Sequence, residues 1–223
     1  MTIWPDSLAA RPHGVVFDCD GLLMDTEPSW EWANAQLFAT RGRDMADVDT
    51  SPLYGRSPRD SAVFLAQWLD EPGGEAALFD EVLETVAGRI ESEARAMPGA
   101  VELVGSLREQ RVPLAVASNS PRPIIELALR LGGLDGAFDV VVSSDDVPHP
   151  KPAPDLYLLA CSRLEVAPSA AVGVEDSRTG LAAVRAAGLR SIGVPSQPGD
   201  FPADWVVASL ADPTVAEWVS SWA

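Results

Sequence analysis

Lysine is almost absent from this chain. Of its 16 basic residues only Lys151 is a lysine, and all the others are arginine. Basic residues of both kinds are outnumbered by 33 acids, for a formal charge of −17. So little positive charge excludes nucleic acid as a partner, because affinity for a polyanion rests on Lys and Arg contacts to phosphate. An anionic membrane surface is excluded for the same reason. Cysteine is also scarce. Cys19 and Cys161 lie far apart and form no CxxC pair, so both read as reduced thiols of a cytoplasmic protein. The two histidines, His13 and His149, are too distant in sequence to suggest a zinc pair and read as loop or surface residues. No apolar run approaches the ~18 residues of a membrane span. The opening MTIWPDSLAARPHG lacks the apolar stretch of a signal peptide.

What is present is ordinary for a globular domain: 223 residues, 47% hydrophobic and 22% charged. That is enough chain to bury a substantial core without disulfides. The run 13–18 (HGVVFD) reads as a buried strand that stops at an acidic, glycine-containing turn. Pro28 suits a first helical turn, and Trp30, Ala33, Leu37 and Phe38 continue at helical spacing to about Arg41. Ser57 followed by Pro58 opens a second helix over 57–69, and 73–94 carries a third helical pattern. Strands and helices then alternate, with strands at 112–118, 139–144, 170–176, 190–195 and 205–210. Helices fall between them at 100–110, 121–131, 154–164, 177–187 and 212–222, and Gly188 stands where a left-handed cap closes its helix. This order predicts an α/β fold with a doubly wound parallel sheet. It places the core at 1–25 and 95–223, with an all-helical insertion over 26–94 after the first strand. The tryptophans read as packing residues, with Trp30 placed where the insertion meets the sheet.

Ligand sites of open α/β sheets lie beyond the carboxyl ends of the strands. There the sequence places Asp18-Cys19-Asp20-Gly21, Ser118-Asn119-Ser120, a loop carrying Lys151, and Glu175-Asp176-Ser177. Carboxylates gathered at one edge repel one another unless a divalent cation sits among them. Oxygen ligands of this kind suit Mg²⁺, which often bridges to a substrate phosphate. A carboxylate at a strand tip is also a competent nucleophile. Asp18 and Asp20, two residues apart, can face the same pocket while Cys19 between them points into the core. In a chain that uses arginine everywhere else, Lys151 reads as a position that requires a compact ammonium.

The segments DCDGLLMDTEP, VASNS, HPKPAPDLY and VGVEDSRTGLAAVRAAG resemble, in order, the four motifs of the haloacid dehalogenase superfamily. Together they frame nearly the whole chain. The form of the first and third motifs, with GRS in the insertion, is most similar to the beta-phosphoglucomutase-like sugar-phosphate phosphatases. The resemblance implies a Rossmann-like core with a small helical cap. It implies an Mg²⁺-dependent phosphatase of a small phosphate monoester, acting through a phospho-aspartate as a cytoplasmic monomer. By the same resemblance Asp18 is the nucleophile and Asp20 the general acid/base. Mg²⁺ would be held by the Asp18 carboxylate, the Asp20 carbonyl and Asp176, with Glu175 close behind. Ser118 and Lys151 would bind the phosphoryl group with Asn119 beside them, and Arg56, in the Tyr54-Gly55-Arg56-Ser57 loop of the cap, would reach the substrate. Asp25 reads as a structural turn acid.

Three other kinds of protein share part of this pattern. A phosphoaspartate receiver module is about half this length and has no helical insertion. A dehalogenase needs neither Asp20 nor Asp176. A beta-phosphoglucomutase-type mutase is the alternative, but Pro58, Pro121 and Trp30 stand where it would need an arginine, a lysine and a histidine, leaving Arg59 or Arg122 to compensate.

Overall fold

The computed structural model describes residues 4–53, 56–196 and 198–222. Its first strand, β1 (Gly14–Phe17), is buried along its whole length. Three helices of the insertion follow it: α1 (Glu27–Ala39), α2 (Pro58–Leu69) and α3 (Glu75–Glu93). The alternating half comprises α4 (Ala100–Glu109), β2 (Leu114–Ala117), α5 (Arg122–Leu131), β3 (Val140–Val142) and α6 (Asp155–Arg163). It continues through β4 (Ala171–Glu175), α7 (Arg178–Ala187), β5 (Arg190–Gly193), β6 (Trp205–Val206) and α8 (Pro213–Ser220). The strands form one parallel sheet in the order β3-β2-β1-β4-β5-β6. The expected doubly wound α/β fold with a helical insertion after the first strand is present.

Period-two alternation explains why both faces of the sheet are covered. Val15 and Phe17 of β1, Leu114 and Val116 of β2, and Val172 and Val174 of β4 feed one core, shared with α4, α5 and α8. Val16, Ala115, Ala117 and Ala171 feed the other, against Leu156, Tyr157 and Ala160 of α6 and Val184 of α7. The first core runs on into the insertion through Leu37, Phe38, Leu65, Val82 and Ile90. Both α1 and α2 pack on α3, which also touches α5. The chain enters and leaves the insertion side by side: Met24 bridges Ala96, and the Asp25 amide donates to the Arg95 carbonyl at 2.9 Å.

Local signals account for most boundaries. The Ser57 hydroxyl accepts from the Asp60 amide and caps α2 as expected, and Gly188 closes α7 with φ +81°. The last strand is shorter than its apolar run suggests, two residues where 205–210 reads as strand. Its neighbour β5 ends at Gly193, and Pro195 soon after has no amide to extend the ladder. The chain then leaves the sheet, and Val207 and Leu210 enter the core instead. Trp205, Trp218 and Trp222 pack in a row, whereas Trp32 is exposed beneath Arg89. Among the described residues, no helix is long and apolar enough to cross a membrane.

Candidate active site

Strand order reverses direction at β1, which has β2 on one side and β4 on the other. Such a switch point leaves a crevice beyond the strand ends. Asp18 is the first residue past β1, and its amide donates to the Val174 carbonyl at 3.0 Å, which seats it beside the tip of β4. Glu175 ends β4, Asp176 follows it, and Ser118 follows β2. Gly21 turns the β1 loop with φ +78°, and a Cβ there would stand 2.6 Å from Asp176 Oδ2. Only glycine lets this loop close against the β4 tip. The result is a cleft of about 390 Å³ with the strand tips as its floor and α1, α2 and the segment between them as its far wall.

The floor is an ion cluster. Lys151 Nζ donates to Asp18 Oδ1 at 2.5 Å and to Glu175 Oε1 at 2.6 Å. The Tyr157 hydroxyl donates to the same Glu175 oxygen at 2.6 Å, and the Ser177 hydroxyl to the other at 3.2 Å. Glu175 is fully buried and does not border the cleft, so its carboxylate aims Lys151 from behind. Burial pushes the Asp18 carboxyl up to about 8, against the pull of Lys151, with Glu175 and Asp20 adding to the rise. Burial, together with Asp18 and Glu175, raises Asp176 well above the carboxylate range. Burial works to lower Lys151, but Asp18 and Glu175 more than reverse it and hold the ammonium charged. Three buried carboxylates thus face one buried ammonium. Asp18, Glu175 and Asp176 offer oxygens within 4.8 Å of one another, and Asp176 Oδ2 is buried without a hydrogen-bond partner. An all-oxygen, negatively charged set with one orphaned acceptor fits a hard divalent cation.

Asp20 sits differently. Its Oδ1 accepts from the Thr26 hydroxyl at 2.6 Å and the Trp30 indole at 3.2 Å; its Oδ2 accepts from Ser118 at 3.0 Å and Ser120 at 2.7 Å. It is tied at once to the start of α1 and to the β2 tip. The side chain of Asn119 brackets the Lys151 main chain, accepting from its amide at 2.8 Å and donating to its carbonyl at 3.3 Å. It therefore sets the height of the lysine. Arg56 borders the cleft but is exposed, its Nε donating to the Pro52 carbonyl at 2.7 Å. Tyr54 and Gly55 of the same loop lie outside the described residues. Arg59 lies over Phe79 and Arg122 is bound to Asp146 at 2.6 Å, and neither borders the cleft. Cys19 is buried in the core, as strand alternation predicts.

Asp18, Asp20, Ser118, Asn119, Lys151 and Asp176 are thus brought together at one crevice, with Glu175 behind it on Lys151. Sequence reasoning placed Ser120 at a strand tip but gave no role to it, to Thr26 or to Tyr157. One of them had a signal: Thr26 occupies the capping position of α1, yet its hydroxyl makes no cap and goes to Asp20. A capping residue diverted from its helix marks a second use.

A model of the haloacid dehalogenase-like hydrolase family matches residues 12–188. Hexitol phosphatase B of Escherichia coli K12 is 33% identical over 199 residues, covering 87% of this chain and 89% of that protein. The phosphorylated carbohydrates phosphatase of Thermotoga maritima is 31% identical over 188 residues, covering 81% and 83%. Among solved structures, CbbY of Rhodobacter sphaeroides in complex with phosphate superposes with a TM-score of 0.79 at 28% identity, covering 91% of this chain and 96% of that one.

Proposed function

This chain belongs to the haloacid dehalogenase-like hydrolases, and from that premise we propose that it is a phosphatase of small sugar or polyol phosphates that works through a phospho-Asp18 intermediate. The observation that carries this reading is the Asp18 carboxylate at the tip of the central strand, with the Lys151 ammonium on one of its oxygens and the orphaned Asp176 oxygen nearby. Its relatives named as hexitol and carbohydrate phosphatases support the substrate class.

Asp18 attacks phosphorus in line with the ester oxygen, forming a new P–O bond as the bond to the alcohol breaks. Asp20 gives its proton to the departing oxygen, then takes one from the water that attacks phospho-Asp18. Inorganic phosphate leaves and Asp18 is restored. Ser118 and Lys151 hold the transferring group, and Glu175 and Asn119 position Lys151. Mg²⁺ held by Asp18, Asp176 and the Asp20 carbonyl would supply the charge neutralisation that lets the nucleophile approach an anionic ester. Residues 26–94 act as a cap that closes the cleft and excludes bulk water.

The reading is tested by phosphate release from a panel of hexitol and sugar phosphates with Mg²⁺. Release is expected, and it should stop when a chelator is added. Asp18→Asn should lose at least about a thousandfold in kcat, with an unchanged circular dichroism spectrum. A variant that keeps a tenth of wild-type turnover rules out the covalent route.

A further inference from the structure

Helix α1 presents a row of polar side chains to the cleft. Glu27, Trp30, Glu31 and Asn34 recur at the three- and four-residue spacing that keeps side chains on one helical face, and all four border the cavity floored by Asp18 and Lys151. Trp30 is used by its bond to Asp20. The two glutamates and Asn34 have no part in moving the phosphoryl group. The remaining cap wall is apolar at Met45, Leu53 and Leu65 and bears neutral hydroxyls at Thr50 and Ser61.

Positive charge is distributed very unevenly around this space. Among the described residues, only Lys151 and Arg56 are basic side chains bordering the cavity. Lys151 is buried between Asp18 and Glu175 at the phosphoryl end. Arg56 is drawn back against the cap, its Nε on the Pro52 carbonyl and its guanidinium 5.0 Å from the centre of the Phe64 ring. The α1 wall carries the opposite sign. Glu27 resists ionisation chiefly because it is buried, with Asp20, Glu31 and Asp25 nearby adding to the rise. The acids line a cavity already furnished for a ligand, since Asp176, whose Oδ2 is buried and partnerless, borders the same space.

A phosphate monoester seated on Lys151 projects its alcohol portion toward this wall. A second anionic group there would meet the Glu31 carboxylate, with the ionisation-resistant Glu27 beside it, in a partly desolvated cleft, where like charges cost most. Hydroxyl groups would instead donate to carboxylate and amide oxygens, which accept them readily. We propose that the α1 face makes the cleft selective for phosphate monoesters of uncharged polyols, with Glu31 as the specificity-determining residue that rejects a second negative charge. The proposal rests on the phosphatase reading and narrows its substrate class.

Glucitol 6-phosphate and 6-phosphogluconate isolate the effect, because they differ only at the carbon farthest from the phosphate, a CH₂OH in one and a carboxylate in the other. Both are compared by kcat/KM with Mg²⁺, beside p-nitrophenyl phosphate as a reference without hydroxyls. The wild type should favour glucitol 6-phosphate by at least about thirtyfold, and Glu31→Gln should narrow that ratio at least about fivefold by raising the rate on 6-phosphogluconate. Equal use of the two by the wild type, or a ratio that Glu31→Gln leaves unmoved, overturns the proposal. So does turnover of p-nitrophenyl phosphate with neither polyol phosphate hydrolysed, an outcome that leaves the phosphatase reading standing. Inertness toward all three esters removes the phosphatase reading itself.

Discussion

Asp18 and Asp176 are held at the same strand edges that the sequence indicates, but their energetics depend on neighbours that only the fold supplies. Burial lifts Asp18 from 3.8 to about 8, and Asp176 rises for the same reason with Asp18 and Glu175 nearby. A carboxyl whose folded value lies above its unfolded one stabilises the fold while protonated. That contribution is fully present below 3.8 and is lost as the pH climbs through about 8. A divalent cation requires the ionised forms and so competes with these protons. The metal-free protein should therefore lose thermal stability from about pH 5 to pH 8, and the rise in Tm on adding Mg²⁺ should be larger at pH 8 than at pH 5. Differential scanning fluorimetry with and without chelator measures both. An Mg²⁺-induced shift that is larger at pH 5 contradicts the assignment of these acids as the cation site. The acids and the lone lysine were legible because strand tips can be found from periodicity. The four donors on Asp20 were not, because Thr26 and Ser120 reach it from different elements across the sheet edge.

Elements follow the same division between local and tertiary signals. Helix α2 with its Ser57 cap, and α7 with its Gly188 terminus, could be read from caps and spacing alone. The shortness of β6 could not, since it depends on where β5 stops offering partners. Gly180 is the sharpest case. Inside α7 it looks like a poor helix former, about 1 kcal/mol worse than alanine. The structure gives its reason: a Cβ there would lie 1.9 Å from the Glu175 carboxylate, which packs over the first turn of the helix. The Ser177 hydroxyl, which accepts from the Gly180 amide at 3.0 Å, also donates to that carboxylate. Propensity and packing make opposite predictions for Gly180→Ala, and packing involves the larger energy. The substitution should destabilise the protein by about 1–3 kcal/mol, and it should lower kcat at least about tenfold by moving Glu175 away from Lys151. Chemical denaturation and phosphate release decide it. A more stable variant with unchanged kcat shows that Glu175 does not hold the lysine in place.

For the whole molecule, four motifs in order, one per strand tip, made the chemistry of the floor legible, but the wall that distinguishes hydrolysis from phosphoryl migration is built by the insertion. A mutase must hold the phosphate that is not being transferred, so that its bisphosphate intermediate can reorient before water reaches the phospho-aspartate. That requires cationic side chains facing the cleft from the cap or the second strand tip. Pro58 and Pro121 have no side-chain donor to offer. The arginines beside them are otherwise engaged: Arg59 lies 4.5 Å from the centre of the Phe79 ring, and Arg122 is bound to Asp146 and the Val141 carbonyl. Among the described residues the one cap cation that borders the cleft is Arg56, drawn onto the Pro52 carbonyl and the Phe64 ring, and the α1 wall is acidic at Glu27 and Glu31. Trp30 occupies the remaining position with its indole on Asp20, and an indole has no titratable proton with which to delay the acid/base. Water is therefore expected to reach phospho-Asp18 faster than a second sugar phosphate can be retained. Starting from beta-glucose 1-phosphate with a trace of the 1,6-bisphosphate and Mg²⁺, phosphate release should exceed formation of glucose 6-phosphate. Conversion to the 6-phosphate outrunning phosphate release by about ten to one, a difference of about 1.4 kcal/mol in barrier, would point to Arg59 or Arg122 as the group supplying the missing phosphate site. The phosphatase assignment would then give way to a mutase.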